Sequence, residues 1–283
     1  MPTPWPPVER ASVITQFLAR RERFDSVGST NDVVRQWLAD RTPEVCLAVA
    51  LQQTAGRGRD GRRWVAPPGA ALLLSLGFRP TWLAPDHVWR LAAVASLAMA
   101  DAAECAADLP TGTVRLKWPN DLVISTGAPA DVRKVAGVLG ETDGLGTADP
   151  RAVIGLGINA DWAAADFPPD LAASMTSLRE AACGRRIKGD GLLDLFMERL
   201  EPGIGSLRAG DFDGEGWAAR QSTTGQTVRL ESPDRSETVR ALGVDPVSGA
   251  LIVEDTTATG RVRHVLVGEI SHVRLPEQIS ELV

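Results

Sequence analysis

Apolar and polar positions along the chain fall into two textures. Up to about residue 160, short unbroken apolar runs alternate with segments of helical spacing; beyond about Gly216, short segments alternate strictly between apolar and polar residues. The first texture predicts buried strands and amphipathic helices, and the second predicts half-buried antiparallel strands. The segment "ASVITQFLARRERF" has helical spacing. "GSTNDVVRQWLADR" predicts a second helix, capped by Ser29 or Thr30 with Asp32 in its first turn. "EVCLAVALQ" and "ALLLSLGF" predict strands. "PDHVWRLAAVASLAMADAAECA" predicts a long helix opening at Pro85 and Asp86, followed by four strand-like pieces, "TVRLKW", "DLVIS", "KVAGVLGE" and "AVIGLGIN".

Strands in succession, with helices grouped elsewhere, predict an α+β mixed sheet instead of a regular parallel βαβ series. Residues 161–191 are irregular in composition, with "DFPPD" and several glycines, and predict a mobile loop region that ligand would order. "LLDLFMERLEPGIGSL" predicts a closing helix. The alternating segments "QTVRLES", "SETVRALGVD", "ALIVEDT" and "RVRHVLVGEISHVRL", with turn signals at Asp245-Pro246 and Ser248-Gly249, predict a small β-barrel of roughly 65 residues. The expected division is a domain of residues 1–215 and a second of 216–283.

Composition narrows the function. The 283 residues are 44% hydrophobic and 23% charged, ordinary for a globular protein. Cys46, Cys105 and Cys183 lack C-x-x-C spacing and read as buried thiols of a reducing compartment. The N-terminus has no basic region followed by an apolar one, and the apolar stretch Leu91–Ala100 is too short for a membrane span, so a cytoplasmic protein is expected. Net charge is −6, without the broad basic surface of a general nucleic-acid binder. Yet within "GRGRDGRRW", Arg57, Arg59, Arg62 and Arg63 stand against Asp60, a local charge of +3. Concentrated positive charge on an acidic body suits a small anionic ligand.

The glycines of that loop have G-x-G-x-x-G spacing, but a dinucleotide fold needs a helix opening at the third glycine and an acidic residue about 20 positions on. Here Gly61 leads into "RRWVAPPGA", whose prolines forbid a helix interior, and no Asp or Glu occurs from Arg62 through Pro85. A Walker loop is excluded because no G-K-[ST] is present. What remains is an anion-holding loop, in which glycine backbone approaches the ligand and arginine forks grip carboxylate or phosphate, or a surface turn whose arginines serve solubility.

The companions of the loop decide between these. "GSTND", "QQTAGRGRDGRRW", "KWPND", "KVAG" and "GLGIN" occur in that order from about Val27 to Asn159, with "GEISHVR" near the C-terminus. The ordered set resembles the biotin protein ligases, also called biotin–[acetyl-CoA-carboxylase] ligases, which carry a biotin/lipoate ligase-type catalytic domain and a small C-terminal SH3-like barrel. The resemblance implies that biotin's carboxylate attacks the α-phosphorus of ATP to give biotinyl-5′-AMP and pyrophosphate. A lysine of the biotin carboxyl carrier domain of an acyl-CoA carboxylase then takes the acyl group. Charge cancellation and positioning carry the first step, so no enzyme nucleophile is needed.

By match to the family motifs, Ser29, Thr30, Asn31 and Gln53 should hydrogen-bond biotin's ring system, with Gly56, Gly58 and Gly137 admitting it to the backbone. Arg57 and Arg59 should grip the biotin carboxylate and ATP phosphates, with Arg62 in second rank, and Trp64 should either pack beside the ligand or be an ordinary core tryptophan. Lys134 is the expected catalytic cation between carboxylate and α-phosphate. Lys117 and Asn120 resemble nucleotide contacts, Asn159 an adenine contact, and Asp121 a group that orients or deprotonates the acceptor lysine. Turn formation alone also explains Pro119-Asn120-Asp121, and helix capping also explains Ser29 or Thr30. Gly155 and Gly157 serve only close strand packing. Mg²⁺ would arrive with ATP, and no clustered ligand set for another metal is present.

The chain departs from the family pattern in two places. "STGAPADVR" lengthens the connection between Lys117 and Lys134, and no aromatic lies between Asp170 and Leu195 to stack on adenine, leaving an aliphatic such as Ile187 to cover the base. Only 28 residues precede Ser29, too few for the winged helix-turn-helix that some members use to bind DNA, so a short form without DNA binding is expected. A lipoate–protein ligase shares the fold and the acyl-adenylate logic, and a non-catalytic biotin- or nucleotide-binding module is a third reading. The arginine-rich loop and terminal barrel favour biotin, and intact Lys134, Arg57 and Arg59 favour catalysis. The sequence leaves a homodimer open.

Overall fold

A computed structural model of the protein describes residues 17–125, 132–232, 235–255, 260–266 and 272–274. Residues 11–16 of the first expected helix, most of "STGAPADVR" and the "GEIS" of the C-terminal motif lie outside the described residues.

The chain runs β1 (Arg20–Val27), α1 (Thr30–Ala39), β2 (Cys46–Gln53), β3 (Ala71–Phe78), α2 (Trp89–Ala107), β4 (Val114–Lys117), β5 (Asp121–Ser125), β6 (Val132–Asp143) and β7 (Arg151–Asn159). Next come α3 (Pro169–Ala172), α4 (Leu178–Ala181), α5 (Gly189–Arg208), α6 (Gly214–Ala219), β8 (Thr227–Ser232), β9 (Arg235–Val244), β10 (Leu251–Asp255), β11 (Val262–Val265) and β12 (His272–Arg274). The first seven strands form one mixed sheet in the order β1-β2-β3-β7-β6-β5-β4, in which only the β1–β2 pair is parallel. This is the expected α+β arrangement. Helices α2 and α5 pack together over one face, where Leu91, Met99, Leu193, Phe196 and Leu200 meet Leu74, Leu76, Leu122 and Ile154 in a single core. Helix α1 covers part of the sheet with Val34, Trp37 and Leu38 against Cys46, Ala48 and Val153.

Two elements differ from the sequence reading. Residues 20–24 form the start of an edge strand, not a helix, because their backbone pairs in register with β2, Arg20 opposite Cys46 and Phe24 opposite Ala50. Arg20 and Arg21 are exposed at this sheet edge, where charge discourages pairing with another chain. Residues 161–191, for which composition predicts no regular element, carry a 3₁₀ turn at Ala164–Asp166, α3 and α4. Ser177 organises that region: its hydroxyl donates to the Trp162 carbonyl at 2.6 Å and accepts from Glu180 N–H at 3.0 Å, capping α4.

The remaining strands form a second, antiparallel sheet, β11-β10-β9-β8-β12, whose inward positions Val228, Leu230, Val239, Ala241, Leu251, Val253 and Val265 alternate with outward ones. The two sheets are joined through tryptophans. Trp118, between β4 and β5, donates its indole N–H to Gly249 O at 3.0 Å, and Thr223 Oγ1 accepts from its backbone N–H at 3.1 Å. Gly249 has φ of +74°, and a Cβ there would stand 2.9 Å from the Trp89 ring. Trp89 itself packs against Phe212 and Trp217.

Cys46 is buried, as expected, but Cys105 and Cys183 are exposed, a correction to their reading as core thiols. The cause is local: Cys105 lies on the outward side of α2, and Cys183 follows the short helix α4 with φ of +54°. Burial pushes the Cys46 thiol up to about 11, so it stays protonated at neutral pH. Alkylation of the folded protein at pH 7.5 should modify Cys105 and Cys183 and reach Cys46 only after unfolding. Mass-spectrometric detection of modified Cys46 in native protein would contradict this packing.

Candidate active site

The site is built on a strip that crosses the sheet. Register places Leu73, Gly157, Gly137, Asp121 and Lys117 directly opposite one another on β3, β7, β6, β5 and β4. Cross-strand partners point to the same face, so two glycines make a floor between a buried leucine and two charged side chains. Lys134, on the same strand as Gly137, folds back over this floor. Its Nζ lies 2.6 Å from Asp121 Oδ1 and 5.5 Å from the centre of the Trp64 ring. Both charged side chains are partly exposed. The β6 backbone at Lys134 lies beyond the end of β7 and pairs instead with residues from 161–191: Lys134 N–H donates to Ser174 O, and Thr176 N–H donates to Lys134 O, both at 2.9 Å.

The cationic loop closes onto this strip as a small hairpin. Trp64 N–H donates to Gly56 O at 3.0 Å and Gly58 N–H to Arg62 O at 2.7 Å, around a 3₁₀ turn at Arg59–Gly61. Gly56 is required because a Cβ there would stand 2.6 Å from Trp64 O. The Trp64 ring lies on the glycine floor: a Cβ at Gly157 would be 2.6 Å from its Cε2, and one at Gly137 would be 3.3 Å from its Cζ3 and 3.1 Å from Lys134 Nζ. The indole N–H is buried without an acceptor among the described residues.

Beside the floor, the start of α1 and the end of β2 form a polar cluster. Thr30 N–H donates to Gln53 Oε1 at 2.7 Å, and the Thr30 hydroxyl lies 3.0 Å from the same oxygen. Ser75, fully buried on β3, lies 2.7 Å from Thr30 Oγ1 and 2.6 Å from Asn31 Oδ1, while Asn31 Nδ2 donates to Glu141 at 2.7 Å. Asn31 fits because its neighbour on β7 is Gly155, where a Cβ would fall 2.2 Å from Asn31 Oδ1. Ser29 occupies the N-cap position, but its side chain makes no cap bond, so capping does not account for its hydroxyl.

The structure brings together Thr30, Asn31, Gln53, Gly56 and Trp64 on one side, and Asp121, Lys134 and Gly137 on the other. Arg57 is engaged differently from the expectation of a free anion grip. Its fork donates twice to Asp32 on α1, both at 2.7 Å, with Glu141 3.6 Å away. The hydrogen bond from Arg57 holds the Asp32 carboxyl below its ordinary range against the opposing effect of burial, and the same bond raises Arg57. Arg59 opens the 3₁₀ turn and Arg62 closes it. Asn120 donates its amide to Val138 O at 3.1 Å and accepts from Val138 N–H at 2.8 Å, tying the turn to β6. Asn159 is fully buried at the end of β7, where it donates to Thr176 O at 3.0 Å and leaves Oδ1 without a donor among the described residues. Ile187 is buried in the main core.

Sequence reasoning missed Ser75 and Glu141, and assigned Asp32 only to a helix terminus. A lone hydroxyl inside "ALLLSLGF" is the signal that could have found Ser75. Glu141 offered none beyond its position after the "KVAG" strand.

Two outcomes test this geometry. Gly157→Ala should displace Trp64, cost about 1–3 kcal/mol in denaturant unfolding, and raise amide exchange in residues 56–64; Gly58→Ala, whose Cβ would have no neighbour nearer than 3.6 Å, should change stability by only about 0.5 kcal/mol. Because Asp32 titrates below its ordinary range when paired, its hold on the loop is present above that range and lost as pH falls through the lowered value. Exchange protection of 56–64, corrected for intrinsic rates, should therefore be flat from about pH 6 to 8 and fall only below about pH 4. An inflection near neutrality would assign the hold to another group.

Comparison with known proteins identifies the family and the fold. Residues 24–159 match the model of the "Biotin/lipoate A/B protein ligase family". A biotin–[acetyl-CoA-carboxylase] ligase of Mycobacterium tuberculosis is 31% identical, the alignment covering 95% of this chain and 97% of that protein. One from Paracoccus denitrificans is 32% identical over 72% of this chain and 82% of its own length. Among solved structures, the biotin protein ligase of Aquifex aeolicus in complex with biotin and ATP superposes with a TM-score of 0.72 at 23% identity, covering 93% of this chain and 100% of that one.

Proposed function

The chain belongs to the biotin/lipoate A/B protein ligase family, and we propose that it is an ATP-dependent biotin–protein ligase that forms biotinyl-5′-AMP and transfers biotin to a lysine of a biotin carboxyl carrier domain. The observation that carries this reading is the Lys134–Asp121 pair, 2.6 Å apart over a backbone floor of Gly137 and Gly157. An ammonium held there by a carboxylate meets negative charge as it develops on a phosphoryl group.

In the first step a biotin carboxylate oxygen bonds to the α-phosphorus of ATP, and the bond to pyrophosphate breaks. Lys134 offsets the repulsion between the two anions, and Arg59 and Arg62 add positive charge from the loop. Arg57 acts chiefly by tethering the loop to α1 through Asp32. In the second step the acceptor lysine's neutral amine attacks the acyl carbon and AMP departs with the bond's electron pair. Asp121 is placed to orient that amine and to receive its proton. Lys117, Asn120 and Asn159 are assigned to the nucleotide, Asn120 and Asn159 partly through the loops they tie down. Magnesium enters as part of the MgATP substrate and neutralises phosphate charge; among the described residues no cluster of three or more His, Cys, Asp or Glu would hold a resident metal.

Biotin is favoured over lipoate by the neutral polar pair Thr30 and Gln53, which Ser75 and Asn31 back from within the protein. A ureido ring offers one acceptor and two donors to such groups, whereas a dithiolane ring offers them nothing and would leave buried polar atoms unpaired. Residues 1–215 are assigned to the catalytic unit and 216–283 to an SH3-like unit behind the β4–β5 turn. No helix among the described residues is long and apolar enough to cross a membrane.

Calorimetric titration with biotin and lipoate in parallel, followed by a pyrophosphate-release assay, tests the reading; binding of lipoate alone would replace it. Lys134→Ala should lower pyrophosphate release by about 10²–10³-fold with an unchanged melting temperature. Near-normal release would remove Lys134 from the chemistry.

A further inference from the structure

The polar cluster beside the floor contains more oxygen contacts than protons. Thr30 Oγ1 to Gln53 Oε1 is 3.0 Å, Thr30 Oγ1 to Ser75 Oγ is 2.7 Å, and Ser75 Oγ to Asn31 Oδ1 is 2.6 Å. Each hydroxyl has one proton to donate, and the two amide oxygens have none, so one of these contacts carries no hydrogen bond.

The direction of the chain is set at its far end. Glu141 Oε2 takes Asn31 Nδ2 and Arg35 Nη2, both at 2.7 Å, and Arg57 Nη2 stands 3.6 Å from Oε1. A carboxylate so surrounded only accepts, which forces Asn31 to turn its amide nitrogen outward and its oxygen toward Ser75. Ser75 must then spend its proton on Asn31. The short contact between Ser75 and Thr30 is left to be bridged by the Thr30 proton. Gln53 is fixed too, because Thr30 N–H donates to its oxygen at 2.7 Å. The contact without a proton is therefore the longest of the three, between Thr30 Oγ1 and Gln53 Oε1. Two accepting oxygens side by side repel each other until a third group donates to both.

We infer that Glu141, acting through Asn31 and Ser75, holds the Thr30 hydroxyl as an acceptor, so that Thr30 and Gln53 together receive one ring N–H of the bound ureido group. Glu141, Asn31 and Ser75 are positioning residues: they set the polarity of a surface they do not themselves present. The inference rests on biotin as the substrate. It assigns Ser75, a fully buried hydroxyl in an otherwise apolar strand, to specificity rather than to packing, and it accounts for Asn31 having both ends of its amide occupied within the protein.

The test compares biotin with its two cyclic-carbamate analogues, each with one ring N–H replaced by oxygen, in calorimetric titrations of the wild-type chain, Glu141→Gln and Ser75→Ala. In the wild type, the analogue lacking the N–H that meets the acceptor pair should bind about ten-fold or more weakly than biotin, because an oxygen there faces two others. The amide introduced by Glu141→Gln can donate to Asn31 and let the chain reverse, and Ser75→Ala breaks the chain outright. In both variants the penalty for that one analogue should shrink at least about five-fold relative to wild type, while the penalty for the other analogue holds. A purely structural role would weaken all three ligands equally and leave both ratios unchanged, which overturns the inference. So does a wild type that binds biotin but penalises neither analogue. A wild type that binds no biotin overturns instead the functional reading beneath it. Should Ser75→Ala fail to fold, Glu141→Gln decides alone, since the Glu141 side chain is 27% exposed.

Discussion

Gly137 and Gly157 face each other across β6 and β7; a Cβ at Gly157 would strike Trp64, and one at Gly137 would press on Trp64 and Lys134. This steric allowance governs the site. It lets an indole and an ammonium lie down on the sheet, and thereby brings the loop after β2 and the turn after β4 to the same place. Gly155 repeats the device one step along β7, where it admits Asn31. Close strand packing, the reading these glycines invite, describes their effect only in part. What they admit is side chains, on the face away from the α2–α5 layer.

Charge is arranged by the same economy of space. The loop carries four arginines on an acidic chain, yet Arg57, the first of them, is matched by Asp32 from the opening turn of α1, with Glu141 of β6 close by. The match fixes the loop's root while Arg59 and Arg62 lie further along, at either end of its 3₁₀ turn. Pairing of Arg57 with Asp32 offsets part of the repulsion among the loop's cations and so helps the hairpin close.

The segment after β7 and the second sheet supply support from outside the strands that carry Lys134 and Asp121. Ser174 and Thr176 continue the ladder where β7 has ended and hold the Lys134 backbone, while Asn159 pins Thr176 from β7 itself. On the opposite side, Trp118 joins the turn that carries Asn120 to Thr223 and Gly249, and Trp89 of α2 packs against Gly249. Both sides of the Lys134–Asp121 pair are thus braced by residues far away in the chain, which keeps its geometry from depending on a four-residue edge strand.

Much of this was written in local pattern. Apolar runs and helical spacing placed α1, α2, α5 and the strands β2 to β10, because each such element buries a face whose period its own residues set. The ordered motifs located Lys134, Asp121, Gln53 and the glycine loop. Partnership was not legible. Residues 20–24 became a strand because β2 offered them a ladder, 161–191 gained structure by docking on Lys134, Cys105 and Cys183 turned outward, and Arg57 met Asp32. Ser75 acquired its role from Asn31 and Glu141, distant residues that only the folded sheet and helix bring within 3 Å of one another. The physical reason is range: periodicity and turn chemistry act over a few residues, whereas a hydrogen bond is decided by whichever donor and acceptor the completed fold sets side by side.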